Sequence, residues 1–168
     1  MSHRRRVGSP GFTLIEMAVV LTLLGVLTVL VILTTQRLIQ RARASATATQ
    51  MVFMRTALLN LAANCEGLPP TARSGGDPGL TYQPAGAACW SGPYLAHWPA
   101  TTPFGRGTTF QYRGEAGVAA QLSVESLKPA DARALAAEAA PLFAGHAQLI
   151  SGKGRWSVGV DIGTFYQK

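Results

Sequence analysis

The residue type best placed to do chemistry is a single carboxylate. Glu16 closes the run Gly11-Phe12-Thr13-Leu14-Ile15-Glu16, and an uncharged stretch follows from Met17 to Gln36. An acidic group in a membrane span costs about 2.5–3.5 kcal/mol at mid-helix on insertion scales, so it usually marks function. The chemistry open to it is neutralisation, by a proton or by a neighbouring cation. The other candidates are Cys65, Cys89 and three histidines. Exported, the two cysteines can close a disulfide; kept reduced, they read as buried thiols. His97 and His146 are far apart, and neither lies near a Ser or Cys nucleophile motif. No Gly-rich phosphate loop opens a helix, and no His or Cys cluster has zinc spacing. The chain reads as a non-enzyme without metal or cofactor.

The elements that must position Glu16 are a basic leader and an apolar helix. Met1 to Gly11 carries Arg4, Arg5 and Arg6 and no acid. Met17 to Gln36 is long enough, at about 1.5 Å per residue, to cross the roughly 30 Å of a bilayer's hydrocarbon. Within it Ala18, Thr22, Gly25 and Thr28 form a stripe of small side chains that permits close helix packing. An ordinary anchor has no need of Glu16. A cleaved secretory signal usually ends in a small-residue site after its apolar region.

The helical pattern continues past the span. No Pro or Gly interrupts Val26 to Glu66. Ile39, Ala42, Ala46, Phe53, Ala57 and Leu61 recur at helical spacings, with Arg37, Arg41, Gln50 and Arg55 among the polar positions between them. This predicts one helix to about Asn64, roughly 80 Å long, with that apolar set facing a core. Pro69 and Pro70 lie beyond its end. Glu66 to Pro103, rich in Gly and Pro, reads as a long loop of the kind that is functional or stapled. Strands are predicted over Thr108–Arg113, Ala119–Val124 and, more weakly, Gln148–Ser151. The strongest strand signal is Trp156–Ile162, with Trp156, Val158, Val160 and Ile162 on one face. A helix opens at Pro129, presents Ala132, Leu135, Ala136, Ala139 and Leu142-Phe143, and ends or bends at Pro141.

Charge limits the partners. The chain has 168 residues and a formal charge of +7. Its length fits one folded domain, and no internal repeat is present. Removing the leader takes away three arginines, which leaves +4. The remaining cations cluster only at Arg37, Arg41 and Arg43, beside the membrane boundary. A nucleic-acid surface needs a basic face, often with stacking aromatics, so the pattern argues against nucleic acid. Cations flank both ends of the span, so the positive-inside rule gives no orientation.

The run Gly11-Phe12-Thr13-Leu14-Ile15-Glu16, with its short basic leader and apolar tail, resembles the processing site of type IV prepilins and type II secretion pseudopilins. The resemblance implies an α+β fold, with a long N-terminal helix, half membrane anchor and half spine, packed on a small antiparallel sheet. It implies a leader at 1–11, a transmembrane half at 12–36, a soluble half at 37–64 and a globular head at 65–168. A prepilin peptidase is expected to cut between Gly11 and Phe12 and methylate the Phe12 amine. Glu16 takes the family's acidic assembly position, pairing with the Phe12 amine of a neighbouring subunit. The implied place is the inner membrane, single-pass, with the head in the periplasm. The implied partners are other pilin subunits, the peptidase, a platform protein and an assembly ATPase. With the head exported, Cys65 and Cys89 are expected to pair, and closing such a loop contributes about 3 kcal/mol in the chain-entropy model.

Two further stretches resemble the head of major pseudopilins. Trp90-Ser91-Gly92-Pro93-Tyr94-Leu95 is one; Pro103-Phe104-Gly105 is the other, with Phe104 at a position usually held by tryptophan. Gly145 to Lys168 has only Asp161, which argues against the calcium site of those relatives. Many relatives also carry a proline inside the span, where Val31, Ile32 and Leu33 stand here. The function implied is a structural subunit of a type IV filament, a minor pilin or pseudopilin. The alternatives are a major pilin, or a filament-tip subunit that binds DNA or a surface.

Overall fold

The computed structural model describes residues 12–71, 76–115, 119–152 and 154–162. The leader at 1–11, including Gly11, and the glycine tract at 74–75 lie outside the described residues. The order is helix α1 (Leu14–Cys65), strands β1 (Thr109–Glu115) and β2 (Ala119–Leu127), helix α2 (Pro129–Leu142), then β3 (Ala147–Gly152) and β4 (Arg155–Asp161). Each lies within a few residues of its sequence-based expectation. The chain divides into two compact units, Met1–Ile39 and Gln40–Lys168.

In the first unit every described side chain from Phe12 to Ile39 is exposed. A helix that is apolar on all sides and covered by nothing is built for hydrocarbon rather than water. By length and composition, α1 is the one helix among the described residues able to cross a membrane. Its threonines do not break that pattern. Thr22 donates to Val19 O at 2.8 Å, Thr28 to Leu24 O at 2.7 Å and Thr35 to Val31 O at 2.8 Å. Each hydroxyl is thus satisfied within its own helix.

The second unit holds a four-stranded sheet in the order β1-β2-β4-β3, with antiparallel neighbours throughout. β2 and β3 therefore run parallel, α2 connects them, and β4 fits between: a split β-α-β arrangement. β4 buries Val158 and Val160, and Ile162 just beyond it, while Trp156 is half-buried. β1 contributes Phe110 and Tyr112, α2 contributes Ala132, Leu135 and Ala139, and all join one core with the soluble part of α1. β3 is an edge strand with five of six residues exposed, which is why its sequence signal is weak.

The buried face of α1 differs from the expectation. Ile39, Ala42, Ala46 and Phe53 are exposed; of the predicted face only Ala57 and Leu61 are buried. The true stripe is Ala44, Thr47, Ala48, Met51, Met54, Ala57, Leu58, Leu61 and Ala62. Its spacings of three and four are helical, but its members are small or flexible. Phe53 is 64% exposed and Ile39 45%, yet they are the more conspicuous apolar residues. Arg55 is half-buried, its guanidinium 6.0 Å from the centre of the Phe143 ring.

Two outcomes follow from this packing. Met51→Ala lowers head stability by about 2–5 kcal/mol. Phe53→Ala stays within about 0.5 kcal/mol. Denaturant unfolding of the detergent-solubilised full chain separates them, and equal losses would restore the Phe53 face. Tyr112, buried, donates its hydroxyl to Pro69 O at 2.6 Å, and burial pushes its phenol well above the ordinary range. The folded state therefore resists ionisation that the unfolded chain undergoes near pH 10. The stability it contributes is present below about pH 10 and is lost as pH rises towards the folded value. Alkaline unfolding curves should flatten in Tyr112→Phe relative to the parent.

Candidate functional site

Glu16 is the third residue of α1, and Thr13 is its N-cap. The Thr13 backbone N–H donates to Glu16 Oε2 at 3.0 Å, and the Thr13 hydroxyl donates to the same oxygen at 3.0 Å. In return the Glu16 N–H donates to Thr13 Oγ1 at 3.3 Å. This is a reciprocal capping box, Thr-x-x-Glu, and it satisfies donors that a helix start otherwise leaves open. A negative charge in the first turn also suits the helix dipole. Glu16 therefore has partners within its own chain. The expectation of a lone carboxylate overlooks Thr13, although the Thr-x-x-Glu spacing before an apolar run is itself a sequence signal.

Both Thr13 donors reach one oxygen, Oε2. The carboxylate can still accept a cation through its remaining lone pairs. Phe12, 80% exposed, immediately precedes the cap. The small-residue stripe is on the same helix, and a Cβ added to Gly25 would meet nothing within 4 Å.

The other predicted pair is joined. Cys65, the last residue of α1, and Cys89 form a disulfide with a Cα–Cα distance of 5.1 Å and a sequence separation of 24. The loop it closes carries its own hydrogen bonds. Asp77 accepts from the backbone N–H groups of Gly79, Leu80 and Thr81, and from the Thr81 hydroxyl. Trp90 Nε1 donates to Gly79 O at 2.8 Å, and the N–H groups of Tyr94 and Leu95 both donate to Leu80 O. Asn64 of α1 donates to the Tyr94 hydroxyl at 2.7 Å. The Trp90 and Tyr94 rings meet edge to face at 6.0 Å. Gly92 sits between them, where a Cβ would fall 2.8 Å from atoms of both rings. The Trp90–Leu95 stretch thus has a structural use: it ties the loop to the helix end. Pro103-Phe104-Gly105 forms the turn before β1, closed by a Thr102–Gly105 bridge and by the buried Thr102–Thr108 hydroxyl pair at 2.6 Å.

His97 is exposed in the loop, and His146 is exposed just before β3. His146 borders a cleft of about 930 Å³ with Arg55, Arg113 and Asp161. Among the described residues no group of three or more His, Cys, Asp or Glu could hold a metal ion.

Residues 8–32 match the family model of the prokaryotic N-terminal methylation motif. The matched stretch contains Gly11, Phe12, Thr13 and Glu16, and the motif is typical of type IV pilin and pseudopilin prepilins. No curated protein and no solved structure matches the chain. The motif, and the long N-terminal helix packed on a four-stranded antiparallel sheet, are those of a type IV pilin-like prepilin.

The disulfide gives a direct test. Closing this loop contributes about 3 kcal/mol in the chain-entropy model. Cys65→Ser should lower unfolding stability by that order and abolish the gel-mobility difference between reduced and non-reduced protein. Free thiols in native exported protein would contradict the pairing.

Proposed function

We propose that this chain is a minor pilin or pseudopilin, polymerised from the inner membrane into a type IV filament. The observation that carries the reading is the methylation motif at 8–32, with Glu16 capped at the start of an exposed apolar helix. Residues 1–11 are the leader, 12–36 the membrane half of the helix, 37–64 its soluble half and 65–168 the head. Prepilin peptidase cuts between Gly11 and Phe12 and methylates the new amine. A platform protein and an assembly ATPase act on the processed subunit, whose head lies in the periplasm. The resemblance of Trp90-Ser91-Gly92-Pro93-Tyr94-Leu95 to a stretch of major pseudopilins favours the pseudopilin or minor-pilin assignment over a major pilin.

The chemistry of assembly is charge neutralisation in a dry environment. The cut gives Phe12 a positive amine. A carboxylate surrounded by hydrocarbon is costly without a counter-charge. In the free subunit the Thr13 donors lessen that cost. On assembly a neighbouring subunit's Phe12 amine neutralises Glu16, and that pairing sets axial register while apolar helix faces pack.

Glu16→Leu removes the counter-charge and keeps an apolar helix. Filament incorporation should fall at least tenfold while cleavage at Gly11 stays intact, measured as sheared or cross-linked filament against total processed subunit. Normal incorporation with intact processing would contradict the register role.

A further inference from the structure

We infer that the membrane-proximal end of the head is a docking surface for anionic phospholipid headgroups. The inference rests on the membrane-spanning reading of α1 given above. It starts from where the topology places charge. Gln40 on α1 donates through Nε2 to Asp131 Oδ1 at 3.0 Å, so the first turn of α2 lies against the start of the soluble half of α1. Lys128 immediately precedes α2, and Leu127 before it pairs with Trp156 of β4. Arg155 begins β4 opposite Gly152. This end of the sheet and the N-terminus of α2 therefore share one end of the head. The opposite end is fixed by Tyr112 and Gly114 of β1, which bond Pro69 and Thr71 just past the end of α1.

Five cations share the near end: Arg41, Arg43, Lys128, Arg133 and Arg155, all exposed. Two acids accompany them and both are engaged. Asp131 accepts from Gln40, and Glu125 pairs with Arg113 at 2.9 Å. The acids Glu66 and Asp161 lie towards the far end, beside Cys65 and after Val160 respectively. Exposed cations thus gather at the end of the head that holds Gln40, whereas at the other end Arg55 and Arg113 line a cleft together with Asp161.

Connectivity supplies the partner. Arg41 and Arg43 follow Gln36, the last residue of the apolar run, by five and seven residues. At about 1.5 Å per residue they stand roughly 8 and 11 Å beyond the hydrocarbon along the helix. The polar headgroup zone adds about 5–7 Å on each side of the hydrocarbon. Long arginine side chains reach back across the remaining gap. Guanidinium groups match phosphate in charge and fork geometry. The cations on the head side of the span thereby gain a use, holding the near end of the head on the membrane surface until the subunit is drawn into a filament.

The test uses the full chain in liposomes, with an environment-sensitive label on Ala130→Cys; the native cysteines are already paired. Quenching by headgroup-labelled lipid is compared between phosphatidylcholine vesicles and the same vesicles with phosphatidylglycerol. Phosphatidylglycerol should increase quenching several-fold, and high salt should reverse it. Each cation contributes about fivefold at a charged surface. Arg41→Gln with Arg43→Gln and Lys128→Gln should therefore abolish the lipid dependence while leaving the chain carbonate-resistant. Equal quenching in both vesicle types, in chain that remains carbonate-resistant, would overturn this inference alone. Carbonate extraction of the chain would instead defeat the membrane-spanning reading. Proximity between heads that rises with protein density and ignores lipid charge would assign the basic end to another copy of the chain, and would also overturn the proposal.

Discussion

One backbone has to satisfy two solvents. Helix α1 is apolar on every side up to the end of its uncharged run, and apolar on one side only where it enters the head. On the proposed membrane-spanning reading, the backbone of the first region must satisfy itself, because hydrocarbon offers no hydrogen bonds. The helix does so with no internal proline and with threonine hydroxyls folded back onto carbonyls. In the second region small side chains, Ala44, Ala48 and Ala57, alternate with Met51, Met54 and Leu58 to form the floor of the core. The sheet and α2 are built on that floor, so a break anywhere in the soluble half would cost the head its spine.

The two ends of α1 are finished by different chemistry. At the start, Thr13 and Glu16 satisfy each other with three short-range bonds, which suits a site where water is scarce. At the end, a covalent bond from Cys65 and a hydrogen bond from Asn64 hold a long loop that has no strand or helix among its described residues. The loop would otherwise be an entropic burden on a small head. Tyr112 and Thr71 continue the same work by fastening the loop's first residues to β1.

Much of this is legible in the sequence. The Trp156–Ile162 alternation marks β4, and Pro129 marks the first turn of α2. The buried face of α1 departs from its apolar pattern for a physical reason. Burial there is set by close approach of the sheet, which favours Ala, Met and even Thr47, while the larger Phe53 and Ile39 point away. The capping role of Thr13 is visible as Thr-x-x-Glu but is eclipsed by the carboxylate itself. The bonds that organise the loop have no period at all: Asp77 gathers three backbone N–H groups, and Trp90 reaches back eleven residues to Gly79. Such contacts depend on the path of the loop, and the sequence records only that turns are present.

On the proposed pathway, α1 enters assembly with a free, methylated amine ahead of the Thr13–Glu16 cap. Everything said of register and charge neutralisation depends on that amine. Intact mass and N-terminal peptide sequencing of membrane-extracted protein read it without intermediaries. The expected chain begins at N-methyl-Phe12. A chain that still begins at Met1, in a host with active prepilin peptidase, would contradict the pathway and reduce the motif to a plain anchor.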